Sequence, residues 1–374
     1  MKPQDLKDAP PHSSQIPESA SAQMPEGASA QMPEGTSAQM PEGASAQMPE
    51  GTSAQVPEGA SAQVPEGASA QMPEGASAQV PEGARADAAF EKLATHLEQL
   101  NIEKINNTPF NRAELKDIIA GLEKHNADGS WIKNYYDILD LYMMPALVDQ
   151  ANRKYPEMNL KLTTPPNGFA LALKDTLENG IKSSRFIVNA QDRGIHFAVV
   201  DHQTIDDKIS LIFFEPTLLR DTLPALLALR TQQSLEHHQF PPIHFAMAEM
   251  DIQRSSSECG MFSLNLAKKL YLESQKLERL HKDNIKGILC EPNTPLPAEK
   301  LDPYIPARLY KHTQGRGRLE QYLKSNPDAE HEKVNKKGET LTERFEKNLV
   351  KTETKMASVS QHRKRATEYK SLML

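Results

Sequence analysis

Apolar residues change their spacing several times after residue 86, and each change marks an element. From Asp87 to Ile105, Phe90, Leu93, Leu97 and Leu100 recur at three- and four-residue steps, the spacing that lines one face of an α-helix. Asn111–Glu123 and Asn134–Asn152 repeat it, and Thr163-Thr164-Pro165-Pro166-Asn167-Gly168 breaks the pattern before another helix and a strand over Ser184–Asn189. Ile195–Asp201 and Lys208–Glu215 are short and rich in β-branched and aromatic residues. The polar stretch 202–207 between them predicts a hairpin. A strand over Ile243–Asp251 then gives way, just after Gly260, to a helix carrying Leu264, Leu266, Leu270 and Leu272. This order predicts an α+β domain, a central mixed sheet with flanking helices.

The chemistry gathers where the last strand meets that helix. Cys259 stands at the helix start, where orphan N–H groups and the positive dipole end favour thiolate over thiol and lower the pKa of a cysteine. A nucleophile of this kind needs a base and a group that orients the base. In an antiparallel hairpin opposed residues have a constant index sum, so a turn centred between Ile205 and Asp206 sets His196 opposite Glu215. Pro216 follows at once and cannot donate to a ladder, which places that carboxylate at a strand end. Gln253 lies close enough before Cys259 for its amide to join the cysteine N–H in an oxyanion hole.

Before residue 87 the pattern is different in kind. Between Met24 and Gly83 an octapeptide of the form [Met/Val]-Pro-Glu-Gly-[Ala/Thr]-Ser-Ala-Gln opens eight times. Each copy offers one Met or Val as its only sizeable apolar side chain, beside a Pro and a Gly. Stacked copies therefore bury too little to offset the entropy of ordering them, which predicts a disordered tail over 1–86 rather than a solenoid. The repeats also carry much of the acid behind the formal net charge of -7, whereas Lys and Arg outnumber Asp and Glu from His331 on. Two cysteines, Cys259 and Cys290, give no disulfide framework and suit a reducing compartment. No stretch has the length and apolarity of a membrane span, and Met1–Pro11 lacks the pattern of a cleaved secretory signal.

Several runs resemble the YopJ/AvrA family in that family's own order: Asn152–Leu162, Gly194–Asp201, Phe214-Glu215-Pro216, Asp251–Phe262 and Leu309–Thr313. The resemblance spans roughly residue 129 to the C-terminus. It implies bacterial effectors delivered by type III secretion into the host cytoplasm, with a fold similar to the ubiquitin-like-protein cysteine proteases. It also implies a triad at His196, Glu215 and Cys259 with Gln253 at the oxyanion, using acetyl-CoA to acetylate Ser, Thr and Lys of host kinases in the MAPK (MAPK kinases above all) and NF-κB pathways. The same triad also suits amide hydrolysis, so a deubiquitinase or deSUMOylase is the alternative. On this reading 87–374 is the acetyltransferase domain, with a catalytic core over about 150–290 and a regulatory helical part over about 87–150 and 300–374.

Two basic clusters flank the core: Arg153 and Lys154 with Lys161, and His362, Arg363, Lys364 and Arg365 with Lys370. Charge runs are usually solvated faces, and His362–Arg365 without interleaved aromatics gives no nucleic-acid surface. The resemblance assigns both clusters to the activator inositol hexakisphosphate, a polyanion able to bridge like-charged surfaces. It places Lys311 beside the acetyl-CoA site, as a residue that itself becomes acetylated.

If the tail is disordered, deleting 25–83 leaves the melting temperature and in vitro acetyl transfer almost unchanged, and limited proteolysis of the intact chain cuts first within or just after the repeats. Protection of that segment, or loss of activity on its removal, refutes the assignment.

Overall fold

The computed structural model describes residues 111–374 apart from 165, 191–194 and 352–355. The repeat tail, the boundary at 86 and the helix expected over Asp87–Ile105 lie outside the described residues. Helix α1 (Arg112–Asp128) starts where the Asn111 side chain accepts a hydrogen bond from the Ala113 N–H, and stops at Gly129, whose φ of 80° suits a residue without Cβ. Helix α2 (Asp137–Lys154) follows, then strand β1 (Leu160–Thr163), helix α3 (Gly168–Glu178) and strand β2 (Ser183–Asn189).

Strands β3 (Phe197–Ile205) and β4 (Lys208–Glu215) form the expected hairpin, but the turn is later and tighter than its polarity suggests. It is made by Asp206 and Asp207, both at positive φ, the conformation of a two-residue turn whose twist matches the strands. His202, Gln203 and Thr204 belong to the strand. Helix α4 (Thr222–Glu236) and strand β5 (Ile243–Glu249) complete a five-stranded sheet in sequence order, with parallel outer pairs and antiparallel inner ones.

Alternation along the strands divides the core. Phe186, Val188, Val200, Leu211 and Phe213 face α3 and α4, whereas Ile187, Phe197, Val199, Ile212 and Phe214 face a larger apolar body. That body contains α1, α2 and helix α5 (Cys259–Leu272). Helices α6 (Glu278–Ile285), α7 (Ala298–Leu301), α8 (Arg316–Ser325) and α9 (Leu341–Lys347) follow, then the hairpin of β6 (Leu349–Lys351) and β7 (Met356–Ser358), and helix α10 (Ser360–Ser371). The expected mixed sheet with flanking helices is what the chain forms. Among the described residues no helix is long and apolar enough to cross a membrane.

A polar knot fastens α6 to the sheet. Asp201 accepts from His281 Nε2 at 3.1 Å and lies 2.8 Å from Arg185 Nε. His281 Nδ1 therefore accepts from the Ser210 hydroxyl at 2.8 Å, and that oxygen accepts in turn from Asn284 at 2.9 Å. Ser210, His281 and Asp201 have the connectivity of a hydrolytic triad, but each is 0% exposed, so no substrate reaches them. They hold one another by hydrogen bonds inside the core, with the Arg185 charge beside Asp201 Oδ1.

An aspartate at Asp207 with φ of 60° is strained by its Cβ. Asp207→Gly is expected to raise stability by about 0.5 kcal/mol and the melting temperature by roughly 1–2 °C, read by thermal and urea unfolding. A fall in stability refutes this account of the turn.

Candidate active site

Cys259 is the first residue of α5, two positions earlier than the leucine periodicity indicates, and is 2% exposed. Glu215 ends β4, fully buried. His196 lies just before β3, and the late turn pairs Val199 with Phe214, so the histidine falls two positions beyond the residue that would oppose Glu215. An even displacement keeps both side chains on one side of the hairpin. His196 Nε2 meets Glu215 Oε2 at 2.9 Å. The carboxylate only accepts, so Nε2 carries the proton and Nδ1 is left for the sulfur. Cys259 acts on the same ring, and its charge helps to raise the His196 pKa.

Each member is held from behind. Glu215 Oε1 accepts from the Thr217 N–H at 2.9 Å and its hydroxyl at 2.7 Å. The His196 carbonyl accepts from the Ala190 N–H and from Asn189 Nδ2. Burial disfavours the charged imidazole, but Glu215 and Cys259 outweigh it and hold the His196 pKa well above the ordinary value.

Gln253 is buried close by in sequence, tethered through its N–H to the Pro216 carbonyl. Its Nε2 donates to the Ser255 carbonyl at 2.7 Å, so one of its amide hydrogens is already committed. The segment before the cysteine is held by Gln314, whose Oε1 accepts from the Arg254 and Ser255 N–H groups. Gln314 Nε2 donates to Glu258, the residue before Cys259.

The structure rearranges the two basic clusters. Lys154 and Lys364 do come together, lining a cleft of about 370 Å³ with Lys268, Lys269 and Lys311. Burial and then the surrounding cations, Arg344 first, lower the Lys311 pKa to about 8. Lys161 instead pairs with Asp175 at 2.5 Å, and Lys370 pairs with Glu123. Arg153 is exposed in the last turn of α2 and Arg363 donates to Asn348 at 2.9 Å; neither lines this cleft. Arg365 and His362 correct the sequence expectation most sharply. Both are 0% exposed, and burial followed by the nearby Arg365 charge depresses His362 to a pKa of about 3, so it offers no charge to a polyanion. The basic tetrapeptide on α10 turns two of its members into the core because a helix distributes consecutive residues around its axis. Lys268 and Lys269 were missed in sequence, although two adjacent lysines in an otherwise apolar helix are a signal.

The sequence pattern of the YopJ Serine/Threonine acetyltransferase family matches residues 115–371. The serine/threonine-protein acetyltransferase YopJ of Yersinia pestis is 51% identical over 282 residues, covering 74% of this chain and 98% of that protein, and YopJ of Yersinia pseudotuberculosis is equally similar. Among solved structures, AvrA with IP6 and CoA matches with 50% identity and a TM-score of 0.68, covering 71% of this chain and 100% of AvrA. HopZ1a in complex with IP6 and CoA shares the fold at 17% identity and a TM-score of 0.56, over 78% of this chain and 98% of its own.

Glu215→Gln removes the charge that favours the imidazolium, so the His196 pKa is expected to fall, as followed by NMR titration of the ring. An unchanged titration refutes the assignment of the raised pKa to Glu215. The sign for stability follows: this pair stabilises the fold fully below about pH 6.5 and loses that contribution as pH rises through the raised value.

Proposed function

Since the chain belongs to the YopJ serine/threonine acetyltransferase family, we propose that it transfers acetyl from acetyl-CoA through Cys259, with His196 as base and Glu215 as the group that orients it. One observation carries this reading: His196 Nε2 is held by Glu215 at 2.9 Å, and Cys259 acts with Glu215 on that ring to raise its pKa. Nδ1 takes the thiol proton, and the sulfur attacks the thioester carbon. The C–S bond to coenzyme A breaks as the tetrahedral centre collapses, and the released thiolate takes the proton from Nδ1. An acceptor hydroxyl then gives its proton to Nδ1 and takes the acetyl group, and the proton returns to the cysteine sulfur. The backbone N–H at the start of α5, joined by the remaining amide hydrogen of Gln253, stabilises the oxyanion.

The acceptors are Ser and Thr, and also Lys, of host signalling kinases, chiefly MAPK kinases and kinases of the NF-κB pathway, where an acetyl ester occupies the hydroxyl that phosphorylation needs. Type III secretion would deliver the protein to the host cytoplasm. The support here is the 51% identity to YopJ. For the activator we assign inositol hexakisphosphate to the lysine cleft, on Lys154, Lys268, Lys269, Lys311 and Lys364, supported by its five cations against the Glu368 carboxylate and by the IP6 named with AvrA. Lys311, with a pKa of about 8, is about one-tenth free amine at pH 7, which suits it to accept an acetyl group itself.

Purified Cys259→Ala protein, incubated with labelled acetyl-CoA, inositol hexakisphosphate and a candidate kinase, is expected to stay folded and to lose acetyl transfer by at least roughly 10³-fold, with His196→Ala nearly as damaging. Normal labelling by the folded variant sinks the mechanism. Calorimetric titration tests the cleft. Inositol hexakisphosphate should bind more tightly as pH falls through about 8, because it favours protonated Lys311, and the Lys269, Lys311 and Lys364 triple-alanine variant should weaken binding by at least roughly 100-fold. Equal binding by that variant removes these lysines from the site.

A further inference from the structure

The residues on either side of Cys259 are tied to the last helix of the chain. Arg365 of α10 donates Nε and Nη2 to the two oxygens of Asp140 at 2.8 and 2.9 Å. The same guanidinium gives Nη2 to the Ser257 carbonyl at 2.7 Å and Nη1 to Glu258 Oε1 at 3.4 Å. Glu258 also accepts from the Ser255 hydroxyl at 2.8 Å. On the far side of the nucleophile, a Cβ added at Gly260 would stand 3.0 Å from both Cβ and Oδ2 of Asp140. The cysteine is thus bracketed: Arg365 grips the two residues before it, and the partner of Arg365 packs on the residue after it.

From this geometry we infer that Arg365 is a positioning residue for the nucleophile, setting where the Cys259 sulfur stands relative to His196. The inference rests on the acetyl-transfer reading above. Stability alone does not explain the arrangement, because a buried ion pair is often no better than an apolar contact of the same volume. Holding Asp140 and a loop carbonyl together requires a planar fork with several donors, which Arg has and Lys or an apolar residue lacks. Lys364, the preceding residue on α10, lines the lysine cleft, so the helix that carries the clamp also borders the proposed activator site.

The test uses the full chain in a Cys290→Ser background and follows alkylation of Cys259 by iodoacetamide across pH, well below the melting temperatures of all variants. This reads thiol placement without acetyl-CoA, so it separates failure of this inference from failure of the catalytic assignment. Arg365→Lys is expected to slow alkylation at pH 7 by at least roughly tenfold, move its profile to higher pH, and lower kcat for acetyl transfer by a similar factor. Tyr369→Phe loses only the hydroxyl donated to Asp140 at 2.7 Å, and should cost stability while leaving alkylation and kcat within about twofold. A folded Arg365→Lys protein with the wild-type profile overturns the inference, as do losses in the two variants that simply track melting temperature. If Arg365→Lys does not fold, Glu258→Gln decides. It keeps the shape and removes the charge facing Nη1, and a wild-type alkylation profile in that variant also overturns the clamp.

Discussion

A guanidinium enclosed without access to water has to be neutralised where it stands, and for Arg365 that requirement organises the middle of the molecule. Asp140 on α2 supplies the charge in a two-point grip, Tyr136 supplies a ring 4.5 Å below the guanidinium, and Glu258 supplies a second carboxylate from the loop before Cys259. Stripping one partner from such a group leaves a buried charge uncompensated, a loss of about 3–5 kcal/mol. The first helices, the loop before Cys259 and the C-terminal helix are therefore mutually dependent, although they are far apart in sequence. Burial raises the Glu258 pKa while Arg365 opposes it, which places two opposed electrostatic demands one residue from the sulfur.

Charge is handled in two ways within one fold. In the core three buried arginines each face an aspartate: Arg365 with Asp140, Arg318 with Asp302, and Arg185 with Asp201. Along the cleft between α2, α5 and α10 the cations are in excess, and burial together with mutual repulsion lowers the pKa of Lys269 and Lys311. Unmatched cations destabilise a protein that has nothing to place between them, so the cleft has the electrostatics of a site built for an anion.

Much of this was legible from residue patterns. The hairpin over Ile195–Glu215 and the cysteine at a strand-to-helix junction came from period and residue type, and they were enough to associate His196 with Glu215 although the turn lies one residue later than its polarity suggests. That succeeded because shifting the centre of a hairpin by one residue changes the index sum by two and leaves the side of every residue unchanged. The basic clusters were less legible. Their charge is visible in sequence, but whether an arginine faces water or an aspartate is decided by packing with elements some two hundred residues away, as for Arg365 and Asp140. Glu258 and Gln314 gave no signal either, since a buried polar residue looks like a loop residue until its partner is known.

The sealed Ser210–His281–Asp201 relay bears on how catalytic centres are sought. A geometric template for hydrolases would rank it beside His196, Glu215 and Cys259, since the connectivity is the same. Fluorophosphonate reagents that label reactive serines would nevertheless leave Ser210 untouched, because reactivity requires a route for the reagent as well as an aligned base. In this molecule the two constellations use the same adjoining strands, one at the end remote from the hairpin turn and one in their middle. Position along a strand thus distinguishes the proposed nucleophilic centre from a fastening, where bond geometry alone does not.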